Sequence, residues 1–321
     1  MREVDLNGRF AKMHNRYPNI RKKGIVSPNG EMTPFVFGGK LMRLESYAPA
    51  HCAEPTKENL AASCAMIRDV ESGKIISKFG HGCYFFDAFV DGNKVMVLGT
   101  LSNSKYGWYG GDTVMMFEST DLLNWSQRVF FHKKGWLMFN HGLTKTDDGY
   151  VFMVELGRPK RIVGKEVFTF AFAKTADLVN LHFYDLKNAT FPKNRYGGGP
   201  KIHYLNGWFY FLYLEKIPGP VYVTYLVRTK DFKTWTFGKY NPFLSASNED
   251  FVVSEDAWDI TDEMREEIKT GYNSNESDPD FCEYNGKVII NYMSGNQLGY
   301  GYLCEAVFDG TLQEMLEGFF E

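Results

Sequence analysis

Long apolar runs and an excess of charge of one sign are both lacking in this sequence. No apolar stretch approaches the ~18 residues that a membrane-spanning helix needs. The N-terminal segment MREVDLNGRF has no apolar region of the kind that export signals carry. The formal net charge is −3 with both signs interspersed, which argues against a nucleic-acid-binding protein. These absences predict a cytoplasmic protein that binds neither membranes nor nucleic acid.

Cysteine is scarce, and its spacing follows no metal-binding pattern. The cysteines are Cys52, Cys64, Cys83, Cys282 and Cys304. Their number is odd and no CxxC pair occurs, so we expect buried thiols in a reducing compartment and neither disulfides nor metal ligands. We expect no cofactor to be required, and the oligomeric state stays open.

Short strands separated by tight turns dominate the sequence. Hydrophobic residues make up 44% and aromatic residues 16%, which is ample for a core. Helical periodicity is confined to a few segments, such as ITDEMREEIKTG with Thr261 as N-cap and Gly271 as its end, and DGTLQEMLEGFF with a capping box of Thr311 and Glu314. Five segments have the apolar–turn–apolar pattern of a β-hairpin: 35–44, 89–98, 145–154, 203–213 and 282–292.

The hairpins belong to a fivefold repeat. Each is followed by a strand that ends in an aspartate turn, at Asp69, Asp121, Asp177, Asp231 and Asp309. These turns come 31 to 36 residues after the residues that open the hairpins, which we take as Thr33, Asp87, His141, Gly199 and Asp278. Each unit fits a four-stranded antiparallel sheet, so the sequence predicts an all-β, five-bladed propeller; a two-sheet sandwich is the alternative.

The repeat defines one domain over residues 1–321. The predicted blades are 28–80, 81–135, 136–190, 191–244 and 272–320, with a lead-in over 1–27 and a helical insertion over 245–271. The aspartates of the peripheral turns are expected to be structural. Trp125 and Trp235, each four residues past a turn aspartate, are expected to pack between blades.

In a propeller, the first strand of each blade lines the central channel, and its start lies at the same face as the end of the second strand. The openers supply Asp87, His141 and Asp278, with Asp280 on the same side of its strand and Glu276 outside on a loop. The ends of second strands supply Glu45, Glu155 and Glu215. Adjacent loops add Trp108, Tyr109, Arg158, Arg195 and Tyr196.

A ring of acids beside exposed aromatic side chains suits cleavage of a glycosidic bond. One carboxylic acid protonates the leaving oxygen, while a carboxylate activates water or attacks the anomeric carbon. Crowding raises the pKa of at least one acid and so keeps a proton donor available near neutral pH. Each residue also has a structural interpretation: Asp87 as a strand cap, His141 as a structural histidine, and Glu155 or Glu215 as an ion-pair partner.

The sequence resembles the five-bladed β-propeller glycoside hydrolases, a group that includes families 32, 43, 62 and 117. The resemblance spans roughly residues 28–320 and rests on FDAFVDGNKVMVLG, ESTDLLNW, GGGPKIHYLNGWFYFLY and SDPDFCEYNGKVII. The C-terminal segment from SDPDFCEYNG is similar to unclassified bacterial hydrolases of this group. Some members hold a cation in the channel, which implies that His141 and Asp278 could contribute to one.

The chain departs from family 43 at two positions. In that family, the first blade carries an aspartate base, whereas this chain has Thr33, with Glu31 two residues earlier. The Glu of the family's EGP segment corresponds to Gly198 here, so that acid is absent. Asp87 matches the second-blade aspartate that tunes the pKa of the acid. Family 117 uses two aspartates and a histidine, and Asp87, Asp278 and His141 offer the same residue types.

The leading hypothesis is an exo-acting glycoside hydrolase that cleaves a short oligosaccharide. Asp278 is the expected base or nucleophile and Asp87 the tuning carboxylate, while the proton donor is Glu215, Glu155 or His141. A glycoside phosphorylase is an alternative, with a phosphate pocket formed by Arg158, Lys160, Arg161 and Arg195. A catalytically silent carbohydrate-binding propeller is the third hypothesis, since both family 43 positions noted above lack their acids.

Overall fold

The computed structural model describes residues 19–49, 56–106, 109–218, 221–297 and 299–321. Its strands form five separate four-stranded antiparallel sheets, which confirms the predicted propeller and excludes the two-sheet sandwich. Contacts between the first strands of successive blades bring these strands together around one channel.

The strands run in chain order through the blades. The first four blades are β2–β5, β6–β9, β10–β13 and β14–β17, and the fifth is built in the order β1-β20-β19-β18. The strand bounds are β1 Ile20–Ser27, β2 Met32–Phe37, β3 Lys40–Tyr47, β4 Cys64–Asp69, β5 Ile75–Phe79, β6 Cys83–Asp91, β7 Lys94–Leu101, β8 Thr113–Ser119, β9 Ser126–His132, β10 Leu137–Thr146, β11 Gly149–Arg158, β12 Thr169–Thr175, β13 His182–Phe183, β14 Gly198–Leu205, β15 Trp208–Ile217, β16 Val221–Thr229, β17 Thr236–Phe237, β18 Asn275–Tyr284, β19 Lys287–Gly295 and β20 Gly301–Asp309.

Helices occur only as short segments. The described residues form four short α-helices, α1 Lys57–Ala62, α2 Lys160–Val163, α3 Asp262–Thr270 and α4 Leu312–Gly318, and a 3₁₀ helix at Asn248–Phe251. Thr261 caps α3 and Gly271 follows its last residue, as predicted. The capping box of Thr311 and Glu314 begins α4. None of the helices in these described ranges is long and apolar enough to cross a membrane.

The N-terminal strand closes the ring. β1, which lies within the predicted lead-in, is the outer strand of the fifth blade and pairs with β20 from Ile20↔Phe308 to Ser27↔Leu303. The C-terminal part of the chain supplies only three strands to this blade, so the fourth comes from the other end of the chain. This pairing joins the two ends of the described propeller across one sheet.

The peripheral turns and tryptophans have the structural roles that the repeat predicts. Asp121 Oδ1 accepts hydrogen bonds from the backbone N–H groups of Leu123 and Asn124 at 2.9 and 2.8 Å. Trp125 of the second blade stacks on Phe79 of the first, with ring centroids 3.8 Å apart. Trp235 stacks on Phe191 between the third and fourth blades at 4.3 Å.

The described cysteines are unpaired. Cys64, Cys83 and Cys304 are buried, Cys282 is half-buried, and all four are free thiols. Cys52 lies outside the described residues.

Candidate active site

A cleft of about 640 Å³ opens at one face of the propeller. Each blade contributes one equivalent residue to the floor of the cleft. This residue lies seven positions before the first residue of the blade's hairpin turn, and the five are Glu31, Phe85, Asn140, Gly199 and Asp278. In four of these five the backbone has a left-handed φ, between 51° and 56°. This repeated irregularity at the start of the first strands brings equivalent positions of the blades to one space.

Glu155 projects into the cleft from the end of β11 and is held there in a buried position. Asn140 Nδ2 donates a hydrogen bond to Glu155 Oε2 at 3.1 Å, and the Gly199 backbone N–H donates another. Burial, with a further contribution from the Asp278 carboxyl, raises the pKa of Glu155 to about 8. Glu155 therefore carries a proton at neutral pH and can donate it.

Asp278 lies at a bulge in β18, where the pairing with β19 shifts between Ser277 and Asp280. Burial raises the pKa of Asp278, and a hydrogen bond with the Ser277 side chain opposes this effect. Gly199 approaches it so closely that a Cβ at residue 199 would lie 2.6 Å from Asp278 Oδ1. Glycine is required there both for this contact and for the backbone φ of +52°.

Glu31 is the third carboxyl of the cleft. Burial raises its pKa well above the usual range, and the charges of Asp278 and Glu155 raise it further. Glu31 Oε2 is buried without a hydrogen-bond partner among the described residues. Three carboxyls that interact in this way cannot all be ionised near neutral pH.

Aromatic rings form much of the cleft wall. Phe85, Phe139 and Phe168 make consecutive edge-to-face contacts, with centroids 5.6 and 4.9 Å apart. Tyr196, as predicted, lies in the cleft, where its ring meets that of Phe168 at 5.7 Å. Tyr109 lines the cleft beside Tyr84 at 4.6 Å. Trp108, the other predicted aromatic ligand, lies outside the described residues.

A smaller cavity of about 20 Å³ lies beneath the three carboxyls, in the channel. It is lined by Asp87, His141, Lys201 and Asp280 as well as by Glu31 and Asp278. The Lys201 ammonium forms ion pairs with Asp87 and, at 2.7 Å, with Asp280 Oδ2. His203 Nε2 lies 3.3 Å from Asp280 Oδ1. These polar side chains form a buried network directly under the floor of the cleft.

The ion pairs of the channel set the charges of its acids. Burial raises the pKa of Asp87 to about 6, although Lys201 acts in the opposite direction. Burial also acts to raise the pKa of Asp280, but Lys201 and His203 outweigh it and the net shift is downward. Burial and the Lys201 charge lower the pKa of His141 to about 3. His141 is therefore neutral at physiological pH and lacks the proton that an imidazolium acid would donate.

These residues do not fit a channel metal ion. Lys201 already places a positive charge between Asp87 and Asp280, and a cation beside it would be repelled. The described residues contain no group of three or more His, Cys, Asp or Glu side chains arranged to hold a metal.

Four predicted residues lie away from the cleft or have another role. Glu45 is completely buried, Arg43, Arg68 and Asn29 all donate to its carboxylate, and it is not among the described residues that line the cleft. The carboxylate of Glu215 accepts a hydrogen bond from Tyr213 at 2.7 Å and pairs with Arg195 at 3.4 Å.

Neither Glu215 nor Arg195 is among the described residues that line the cleft, and Asp280 is committed to Lys201 and His203. Glu276, expected on an outer loop, is completely buried beside Asp250 and Lys22.

The residues that the sequence assigns as hairpin openers lie at two different levels of their strands. Thr33 and Asp87 lie five positions before their hairpin turns, where the last two blades have Lys201 and Asp280. Gly199 and Asp278 lie seven positions before theirs, at the level of Glu31. The distance to the hairpin turn is therefore the sequence signal that identifies Lys201 and Glu31 as site residues.

Comparisons with solved structures agree with this architecture. A thermostable family-43 glycoside hydrolase superposes with a TM-score of 0.56 at 10% identity, over 87% of this chain and 88% of that chain. A structure described as a glycoside hydrolase gives 0.59 at 10% identity, over 95% and 96%. An endo-1,4-β-xylanase from Bacteroides thetaiotaomicron gives 0.52 at 11% identity, over 91% and 99%.

No protein-family model matches the chain, and the search of curated proteins found no match. At identities of about 10%, likeness to solved structures establishes the fold. The chain therefore has the five-bladed propeller fold of family 43 glycoside hydrolases, as the sequence resemblance implied.

Proposed function

We propose that this protein is a glycoside hydrolase in which Glu155 is the general acid and Asp278 is the base or nucleophile. The observation that carries the proposal is the group of three carboxyls on the floor of an aromatic-lined cleft, with Glu155 buried and Glu31 and Asp278 half-buried. Aromatic faces accept sugar rings, and a pair of carboxyls in opposite protonation states is what glycosidic cleavage needs.

The environments of the three carboxyls suggest which one ionises first. Burial acts on all three, and the pKa of Glu31 is raised well above the usual range while that of Glu155 reaches about 8. Asp278 has the Ser277 hydrogen bond to favour its charged form. Glu155 would donate its proton to the leaving oxygen, while ionised Asp278 would attack the anomeric carbon or activate water.

Glu31 and Asp87 have supporting roles in this proposal. Glu31, whose pKa is raised well above the usual range, would stay protonated and could donate a hydrogen bond to a substrate hydroxyl. Asp87 lies under the floor in the same small cavity as Asp278 and would orient and tune the group above it. Glu31 and Glu155 also supply carboxyls that Thr33 and Gly198 do not, which favours an active enzyme over a silent binding propeller.

The cleft suits the end of a short oligosaccharide. Its volume is in the range of small-molecule sites, and the cavity of about 20 Å³ beneath it is too small for a sugar to pass through. We therefore propose an exo-acting enzyme. The carboxyls suffice for the chemistry, so we propose no cofactor, and the cytoplasmic location stays a prediction.

Leaving-group dependence tests the two roles. A panel of 4-nitrophenyl glycosides would first identify the sugar, with turnover measured in the absence of phosphate. For Glu155→Gln we expect a loss of about 10²- to 10⁴-fold with a phenyl leaving group and a much smaller loss with 2,4-dinitrophenol, which departs without a proton. Asp278→Asn should lose activity with both leaving groups.

Glu215→Gln is the matched control, because Glu215 also lies near the end of a second strand but outside the cleft lining. It should retain turnover. Wild-type rates in both Glu155→Gln and Asp278→Asn would overturn the assignment.

A further inference from the structure

Arg158 is the only basic side chain among the described residues that line the cleft. It is exposed, and it forms no ion pair with any described carboxylate. The other arginine predicted to bind substrate, Arg195, is already paired with Glu215. Arg158 therefore presents an uncompensated positive charge to whatever occupies the cleft.

The position of Arg158 sets which part of a ligand it would meet. It is the last residue of β11, three residues beyond Glu155. At about 3.3 Å per residue, the two backbone positions are roughly 10 Å apart. A group bound by Arg158 would thus lie away from the scissile bond, on a sugar substituent and not on the reacting carbon.

More positive charge follows Arg158 along the chain. Lys160 and Arg161 lie in α2 and Lys165 lies just beyond it; all three are exposed and form no ion pair with the described carboxylates. The Lys165 backbone N–H donates to Asn194 Oδ1 at 3.3 Å, which ties this loop to the neighbouring blade. The positive edge stands out in a chain whose formal net charge is −3.

We infer that the substrate of this enzyme carries an anionic group, a sugar carboxylate, and that Arg158 binds it. This inference rests on the proposed glycoside hydrolase function. The planar guanidinium can donate two parallel hydrogen bonds to one carboxylate, a geometry that lysine lacks. Lys160, Arg161 and Lys165 would attract the same group over a longer distance, where salt screens them.

Paired substrates that differ only at the sugar C6 test the inference. The pairs are 4-nitrophenyl glycosides with CH₂OH or carboxylate at C6, such as glucoside with glucuronide and galactoside with galacturonide. We expect kcat/KM to favour the carboxylate member. Arg158→Gln should lower kcat/KM for that member by about 10- to 100-fold, which corresponds to a charge-assisted hydrogen bond, and should change the neutral member little.

Two further variants distinguish a direct contact between Arg158 and the carboxylate from a general electrostatic attraction of the substrate. Arg158→Lys should recover only part of the loss, since it restores the charge but not the two parallel hydrogen bonds. Arg161→Gln removes the same charge three residues further along, in α2, without touching the cleft lining. Its effect should be less than about twofold at physiological salt.

Binding assays test the carboxylate inference separately from the proposed hydrolase function. Calorimetry with Glu155→Gln protein, using acidic and neutral oligosaccharides, does not depend on turnover. Selective binding of the acidic ligand that Arg158→Gln abolishes would support the inference even if no glycoside is cleaved. Equal binding of both ligand classes, or a rate that requires inorganic phosphate and is lost in Arg158→Gln, would overturn it.

Discussion

Glu155 is held in an environment that favours its uncharged form. The residue is buried and the neighbouring Asp278 disfavours a second negative charge, and these two effects outweigh the two hydrogen bonds that its carboxyl accepts. A proton donor with a pKa of about 8 is useful to an enzyme at neutral pH, but a buried carboxyl has a cost in stability once it ionises. Function and stability therefore oppose each other at this residue.

The opposition predicts a pH-dependent stabilisation by Glu155→Gln. Folding raises the pKa of Glu155 from 4.5 to about 8, so the folded state binds the proton more tightly than the unfolded state. The stability that this provides is complete below pH 4.5 and is lost as the pH rises through about 8. Thermal unfolding should show a higher Tm for Glu155→Gln at pH 9 and little difference at pH 4.

The control for this experiment is Glu215→Gln, whose carboxylate is part of an ion pair with Arg195. That variant should not gain stability as the pH rises. A Tm difference between wild type and Glu155→Gln that is the same at pH 4 and pH 9 would contradict the assigned protonation state. The same titration should appear in catalysis as a fall in kcat/KM above about pH 8.

At the scale of elements, the starts of the first strands supply two levels, the cleft floor and the channel beneath it, and in four of the five blades these levels are two residues apart. In β14, Gly199 lies at the cleft floor against Asp278, and Lys201 lies below it between Asp87 and Asp280. The pairing of β14 with β15 shifts between Gly198 and Lys201, so Gly199 lies within this irregularity and Lys201 at its end. β14 thus carries both Gly199, which contacts the proposed base Asp278, and Lys201, whose charge pairs with the two aspartates of the channel.

The hairpins and turns could be predicted from the sequence because their signals are local. Asn206-Gly207 and Asn285-Gly286 have positive φ at both residues, which is what a two-residue hairpin turn requires and what Asn-Gly supplies. The carboxyl pairings could not be predicted in this way. Glu45, Glu155 and Glu215 all lie near the ends of second strands, and only contacts with distant segments show which of them reaches the cleft.

Removing the Lys201 charge tests the lower level of the channel. Lys201→Ala leaves Asp87 and Asp280 buried without a cation, so we expect a loss of about 3–5 kcal/mol in the free energy of unfolding. The space left by the side chain should admit a small alkylammonium ion. Added ethylammonium should therefore raise the Tm of Lys201→Ala, and with it the turnover, but leave the wild type unchanged.

Lys94→Ala provides the comparison for this variant, since the pair of Lys94 with Glu118 is exposed and worth less than about 1 kcal/mol. If Lys201→Ala and Lys94→Ala lower the free energy of unfolding equally, the buried Lys201 charge does not stabilise the channel more than a surface charge does. Rescue by Ca²⁺ in place of the alkylammonium would mean that the channel accepts a metal ion after all.

At the scale of the whole molecule, the ring depends on how β1 is attached. Lys22 in β1 donates to Ser245 O at 2.8 Å and to both carboxylate oxygens of Asp250, and lies 3.7 Å from Glu276. Tyr292 of β19 donates to the same Asp250 at 2.8 Å. One largely buried lysine thus links the N-terminal strand, the insertion after the fourth blade and two strands of the fifth blade.

This arrangement predicts that two neighbouring residues of β1 differ strongly in their importance for stability. Lys22→Met leaves Asp250 and Glu276 buried without their cation and should cost about 3–5 kcal/mol. Arg21→Met breaks an exposed pair with Asp309 and should cost less than about 1 kcal/mol. Urea unfolding followed by tryptophan fluorescence would compare them. Because the blades share one closed ring, both variants should unfold in one transition, and equal small losses would show that strand pairing alone holds the ring closed.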